Sequence, residues 1–224
     1  MTGTIFVLNP NSSDTVTEGI AEAIAPLRNL PAPVTCLTLA EGPPGIESQA
    51  QADETIAPML ALAARLEPEA AGYVVACFGD PGVHALRDRT AKPVLGIQEA
   101  AVATALTLGQ RFGIIAILPA SIPRHLRSLG AMGVLDRLAG DRALGLGVAD
   151  LADPATTETR LIETGRSLRD TDGAEVLILG CAGMARYRAT LERALQIPVI
   201  DPCQAAVAML QGRIALSQTH RPGG

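Results

Sequence analysis

Apolar and polar positions alternate along this chain in two distinct periods. Ile5-Phe6-Val7-Leu8 is a short unbroken apolar run, followed by the turn- and cap-forming stretch Asn9-Pro10-Asn11-Ser12-Ser13. Val16, Ile20, Ile24 and Leu27 then recur at helical spacing. Thr35 to Leu39 predicts a second strand, Glu41-Gly42-Pro43-Pro44-Gly45 a loop, and Ile56, Leu60, Ala63 and Leu66 a second helix. Tyr73 to Phe78 is apolar without interruption, as a strand covered on both faces requires. Downstream the same signals predict strands at 112–118, 144–148, 176–179 and 198–200. Helices are predicted at 121–132, 156–170, 187–196 and 204–217, with a frayed tail from Ser217 to Gly224. Strands that alternate with helices argue for parallel sheets of the α/β class.

Three landmarks occur twice. Gly72-Tyr73-Val74-Val75-Ala76-Cys77 is matched by Glu175-Val176-Leu177-Ile178-Leu179-Gly180-Cys181, with the two cysteines 104 positions apart. Pro93-Val94 is matched by Pro198-Val199, and Leu8-Asn9-Pro10-Asn11-Ser12 by Leu118-Pro119-Ala120-Ser121. The repeat predicts two similar parallel-sheet α/β domains related by a pseudo-twofold axis, with a cleft between them. The expected boundaries are 1–97 plus 205–224 for the first domain and 98–204 for the second.

Composition narrows the partners. The chain has 224 residues, a net charge of −5, three Phe, two Tyr and no Trp. Negative charge without a Lys/Arg stripe excludes a phosphate-backbone partner, and few aromatics exclude recognition by stacking. So the expected partner is a small-molecule substrate rather than nucleic acid. No apolar run approaches the roughly 20 residues that a bilayer span demands, so no membrane association is expected. The N-terminus has no basic, apolar leader, which predicts a cytoplasmic protein. The four cysteines, 36, 77, 181 and 203, read as thiols rather than as a disulfide framework. With no C-x-x-C pair, no metal is expected.

Cys77 and Cys181 each close a predicted buried strand, and ligands of open α/β sheets bind beyond such strand ends. Asp80 and Pro81 read as the N-cap and first residue of a helix, and Ala182-Gly183-Met184 follows Cys181. Both thiols are therefore expected beside helix N-termini, which favour thiolate and hold anions. A lone cysteine at a strand end is more often packing than chemistry. Two at matched positions of a repeat shift that balance. Thiols flanking one cleft suit stereoinversion, one removing a proton from a carbon acid and the other delivering one to the opposite face. Cys36 reads as core, and Cys203 as packing or cleft lining. Glu47 reads as a solvated loop carboxylate rather than one that reaches the cleft, Glu99 as favoured by a helix dipole, and His84 and His125 as surface or packing residues.

These motifs together resemble the Asp/Glu/hydantoin racemase superfamily: Asn9-Pro10-Asn11-Ser12, Gly42-Pro43 with Ile46-Glu47, Ala76-Cys77-Phe78-Gly79-Asp80-Pro81-Gly82, Pro93-Val94-Leu95-Gly96-Ile97, Gly180-Cys181-Ala182-Gly183-Met184 and Pro198-Val199-Ile200-Asp201. The likeness is strongest to the hydantoin and allantoin racemase branch. It implies a two-domain, cofactor-independent, oligomeric racemase that inverts a carbon next to a carbonyl. Cys77 and Cys181 would be the catalytic acid/base pair, and Asn9, Asn11, Ser12, Gly79, Asp80 and Gly183 the substrate-binding residues. The substrate would be hydantoin-, allantoin- or amino-acid-like. One departure stands out: where the hydantoin branch carries a Thr-Thr pair, this chain has Ala116-Ile117. Alternatives are a cis–trans isomerase or a decarboxylase of the same superfamily, similar to maleate isomerase or arylmalonate decarboxylase, and a non-catalytic two-lobed binding protein. The decarboxylase relatives keep only the second cysteine, so retention of Cys77 favours racemisation.

Overall fold

A computed structural model describes residues 3–27 and 30–218. The first four strands, β1 (Thr4–Asn9), β2 (Val34–Thr38), β3 (Ala70–Val75) and β4 (Val94–Gly96), form a parallel sheet in the order β2-β1-β3-β4. The second four, β5 (Phe112–Ala116), β6 (Leu138–Ala143), β7 (Val176–Leu179) and β8 (Val199–Ile200), repeat it as β6-β5-β7-β8. The sequence repeat is thus a repeat of topology: in each sheet the order reverses beside its first strand, between β1 and β3 and between β5 and β7. Such a switch point leaves a crevice beyond the carboxyl ends of the strands.

The continuous apolar runs are explained by burial on both faces. Along β1, Ile5 and Val7 point into one core with Val74, Leu95 and Leu210, while Phe6 and Leu8 point into another with Tyr73, Val75 and Met59. The second sheet divides in the same way. Ile115, Leu177 and Leu179 pack with Leu161 and Leu191, whereas Phe112, Ile114 and Ile178 pack with Val102 and Leu129. The first half carries α1 (Asp14–Ala23), α2 (Gln49–Glu54), α3 (Ile56–Leu66) and α4 (Val83–Arg87). The second carries α6 (Ile122–Met132), α7 (Pro154–Asp170) and α8 (Arg188–Leu195). Two helices join the halves. In sequence α5 (Ile97–Ala105) follows β4, yet it packs on β7 and β8; α9 (Pro202–Ala215) follows β8, yet it packs on β3 and β4. The two helices also pack against each other.

Two local expectations are corrected. The strand predicted at 144–148 is a loop, and the strand beside β5 is Leu138–Ala143. That segment, LAGDRA, lies at a sheet edge and is only half-buried, so it lacks an apolar run. The apolar signal of Leu144, Leu146 and Val148 comes instead from packing over the second core. Asp80 does not cap the helix after it: Gly82, in the left-handed region, precedes α4. Asp80 itself has a left-handed φ of 51° and accepts N–H bonds from Gln98 and Glu99, both at 2.8 Å, in the first turn of α5. A Cβ on Gly96 would lie 2.1 Å from the Asp80 carboxyl carbon, so this cross-chain cap requires glycine there. Of the predicted tail, residues 219–224 lie outside the described residues.

Candidate active site

The two switch points converge on one small chamber. Asn11 enters beyond β1, Ala76 and Cys77 beyond β3, Ile117 beyond β5, and Gly180 and Cys181 beyond β7. Parallel pairing sets these positions. Leu8 is in register with Val75 and Ile115 with Leu179, so the chain segments after them emerge side by side. Gly180 makes the second crossing fit, since a Cβ there would lie 2.6 Å from the Ile115 carbonyl oxygen. The chamber measures about 30 Å³, room for roughly two water molecules. Val16, Val148 and Ala182 form a wall shared with a larger pocket of about 440 Å³.

Both thiols line this chamber, one from each sheet. Each retains a little exposed surface but is enclosed on most sides. Burial pushes Cys77 up to about 12, raised further by Cys181 and Asp80 and opposed by the Arg124 cation. Burial likewise pushes Cys181 up to about 11, against a lowering hydrogen bond from the Gly183 N–H. The expectation that helix N-termini depress both pKa values is therefore corrected. The helix after Cys77 begins only at Val83 and has five residues, and desolvation outweighs any dipole. Gly183 serves the sulfur of Cys181 directly.

The other predicted residues separate into layers. Asn9 is fully buried, and its amide donates to Asn11 Oδ1 (2.9 Å), Thr17 Oγ1 (3.0 Å) and the Ser13 carbonyl (3.2 Å). It scaffolds the loop. Asn11 lines the chamber; its oxygen accepts from Asn9 and from the Ser13 N–H, so its NH2 is what it can offer there. Ser12 and Gly183 line the larger neighbouring pocket. Gly79 and Asp80 are not among the chamber's lining residues, and both Asp80 oxygens are taken up by α5. Cys203 is fully buried in the first core and Cys36 packs against it.

Four lining residues were not singled out for the site: Ile46 and Ser121, which the sequence marks only as parts of motifs, and Arg124 and His125. His125, expected at the surface or in packing, is 1% exposed, with Nδ1 2.7 Å from Asp141 Oδ2 and its edge against the Phe78 ring. Arg124 sits in the first turn of α6, the helix following the switch-point strand β5. Position could have betrayed both, because that turn must overhang the crevice. Glu47, read as a solvated carboxylate, bridges the halves instead. Its Oε1 accepts the Val148 N–H (3.0 Å) and its carbonyl accepts Arg124 Nη1 (2.8 Å).

Two parallel α/β domains with a thiol from each in a shared chamber define a racemase of the two-domain α/β type. The chain belongs to the Asp/Glu/Hydantoin racemase family, whose sequence profile matches residues 5–210. It is 36% identical over 220 residues to a hydantoin racemase of Paenarthrobacter aurescens, covering 95% of this chain and 91% of that one. An allantoin racemase from Klebsiella pneumoniae superposes with a TM-score of 0.92 at 33% identity, covering 99% of this chain and 91% of that one. Glutamate racemase RacE1 from Bacillus anthracis shares the fold, with a TM-score of 0.73 at 17% identity over 96% of this chain and 82% of that one.

Proposed function

We propose that this racemase inverts a carbon next to a carbonyl in a hydantoin- or allantoin-like ring, using Cys77 and Cys181 as its two bases and no cofactor. The observation that carries the reading is the meeting of two thiols, from equivalent strand ends of the two sheets, in one chamber lined by no carboxylate among the described residues. In the working form one sulfur is a thiolate and the other a thiol. The thiolate takes the proton from one face of the carbon acid, and the electron pair left behind spreads into the adjacent carbonyl. The opposite thiol then donates its proton to the other face, which leaves the charges of the two sulfurs exchanged and the centre inverted. The raised pKa of Cys77 in the presence of charge on Cys181 supports a pair that holds a single negative charge. The Asn11 NH2 is placed to donate to the carbonyl oxygen as it gains charge.

The test is proton exchange in deuterated water. The wild type is expected to exchange the ring Cα–H of both enantiomers of a 5-substituted hydantoin or of allantoin while racemising it. Cys77→Ser and Cys181→Ser are each expected to lower racemisation at least a hundredfold. Racemisation near the wild-type rate by either variant overturns the two-thiol reading.

A further inference from the structure

Among the described residues, Arg124 is the one chamber residue with a permanent charge, and no Asp or Glu lines the chamber beside it. No carboxylate comes within ion-pair distance of its guanidinium among the described residues. Its hydrogen bonds go to neutral acceptors, the Glu47 carbonyl at 2.8 Å and Ser121 Oγ at 3.4 Å. A guanidinium has five N–H donors, so most of its donor capacity is uncommitted. The group is half-buried, and that burial lowers its pKa, with the Arg127 cation adding to the effect and Cys77 opposing it. The chain has more acidic than basic residues, so a neutralising carboxylate was readily available and is not used here. Ile117, another lining residue, is apolar, so its position offers no hydroxyl to a neutral ring.

Resting on the racemase reading above, we infer that Arg124 selects the substrate by charge: the preferred carbon acid bears a carboxylate, which pairs with the guanidinium while the reacting carbon lies between Cys77 and Cys181. A carboxylate matches the planar fork of the guanidinium. The Glu47 carbonyl and Ser121 hold the guanidinium in position from the two sides of the cleft. Arg124 is thus a specificity-determining residue, distinct from the two bases.

The experiment compares a hydantoin carrying a 2-carboxyethyl substituent with its primary amide, which has nearly the same shape and no charge. Cα–H exchange in deuterated water and calorimetric binding are measured for the wild type, Arg124→Gln and Arg124→Lys. In the wild type, kcat/KM and affinity are expected to favour the acid over the amide at least tenfold. That ratio is expected to collapse towards one in Arg124→Gln and to survive in part in Arg124→Lys. Equal or better handling of the amide by the wild type, or a ratio unchanged in Arg124→Gln, overturns the charge reading and leaves racemisation standing. If neither compound exchanges but the acid binds preferentially through Arg124, the charge reading holds and racemisation of these rings falls. If neither compound binds, the charge reading is overturned as well.

Discussion

Cys77 and Cys181 show what an enclosed chamber does to a nucleophile. Enclosure excludes water and makes a matched acid and base possible, but it disfavours the thiolate with which the chemistry begins. With Cys181 raised to about 11, its thiolate makes up about one part in a thousand of the resting protein at pH 8. Because the pKa is raised, the thiolate fraction grows tenfold per pH unit up to that value. Alkylation of Cys181 by iodoacetamide is therefore expected to accelerate steadily from pH 7 to pH 10, without the levelling near 8.5 of an ordinary thiol. Peptide mapping of the alkylated protein resolves the sites, and a plateau by pH 9 would contradict the burial argument. The cysteines themselves were legible in the sequence because the repeat marks them. Their pKa direction was not, because the length of α4 and the depth of the chamber depend on packing that no local pattern encodes.

At the scale of elements, two loops from opposite halves meet over the chamber. Ile46 and Val148 both form its walls, and a Cβ on Gly45 would touch Val148 at 3.1 Å. Glu47 fastens the pair through the Val148 N–H, and Arg127 adds a bond from α6 to Gln49 Oε1 at 2.8 Å. The chamber adjoins the larger pocket across the wall that Val148 helps to form, so these loops bound the way in. Glu47→Ala removes the carboxylate while leaving the backbone bond to Arg124. The fastening is partly exposed and contributes about 1 kcal/mol, or about a fivefold change in the closed-to-open ratio. Faster hydrogen–deuterium exchange of the 144–148 segment is the expected outcome, with a higher KM. Unaltered exchange there would show that the loops stay closed without Glu47. Sequence patterning read Leu144 to Val148 as a strand because it reports apolar positions, not what covers them. It read Glu47 as solvated for the same reason, since its partner lies 101 residues away.

Across the whole molecule, the repeat of two parallel α/β halves was legible because the inner strands are buried on both faces and their sequences say so. The crossing of α5 and α9 between the halves was not, because helix periodicity does not name the sheet beneath. That crossing brings a buried carboxylate to the start of α9. Asp201 is 1% exposed; its Oδ1 accepts the Gln204 N–H at 2.7 Å, and Oδ2 has no partner among the described residues. Burial pushes it up to about 6. The folded value exceeds the unfolded value of about 3.8, so this group's contribution to stability is full below about pH 4 and is lost as pH rises through 6. Two pKa units correspond to at most about 3 kcal/mol. Asp201→Asn keeps a capping oxygen for Gln204 and cannot ionise. The wild type is expected to lose more thermal stability between pH 5 and pH 8 than this variant, read as the difference in Tm between the two buffers. An equal fall in both proteins would mean that Asp201 ionises without cost, and that the unpaired Oδ2 has found a donor or solvent at the junction between the two sheets.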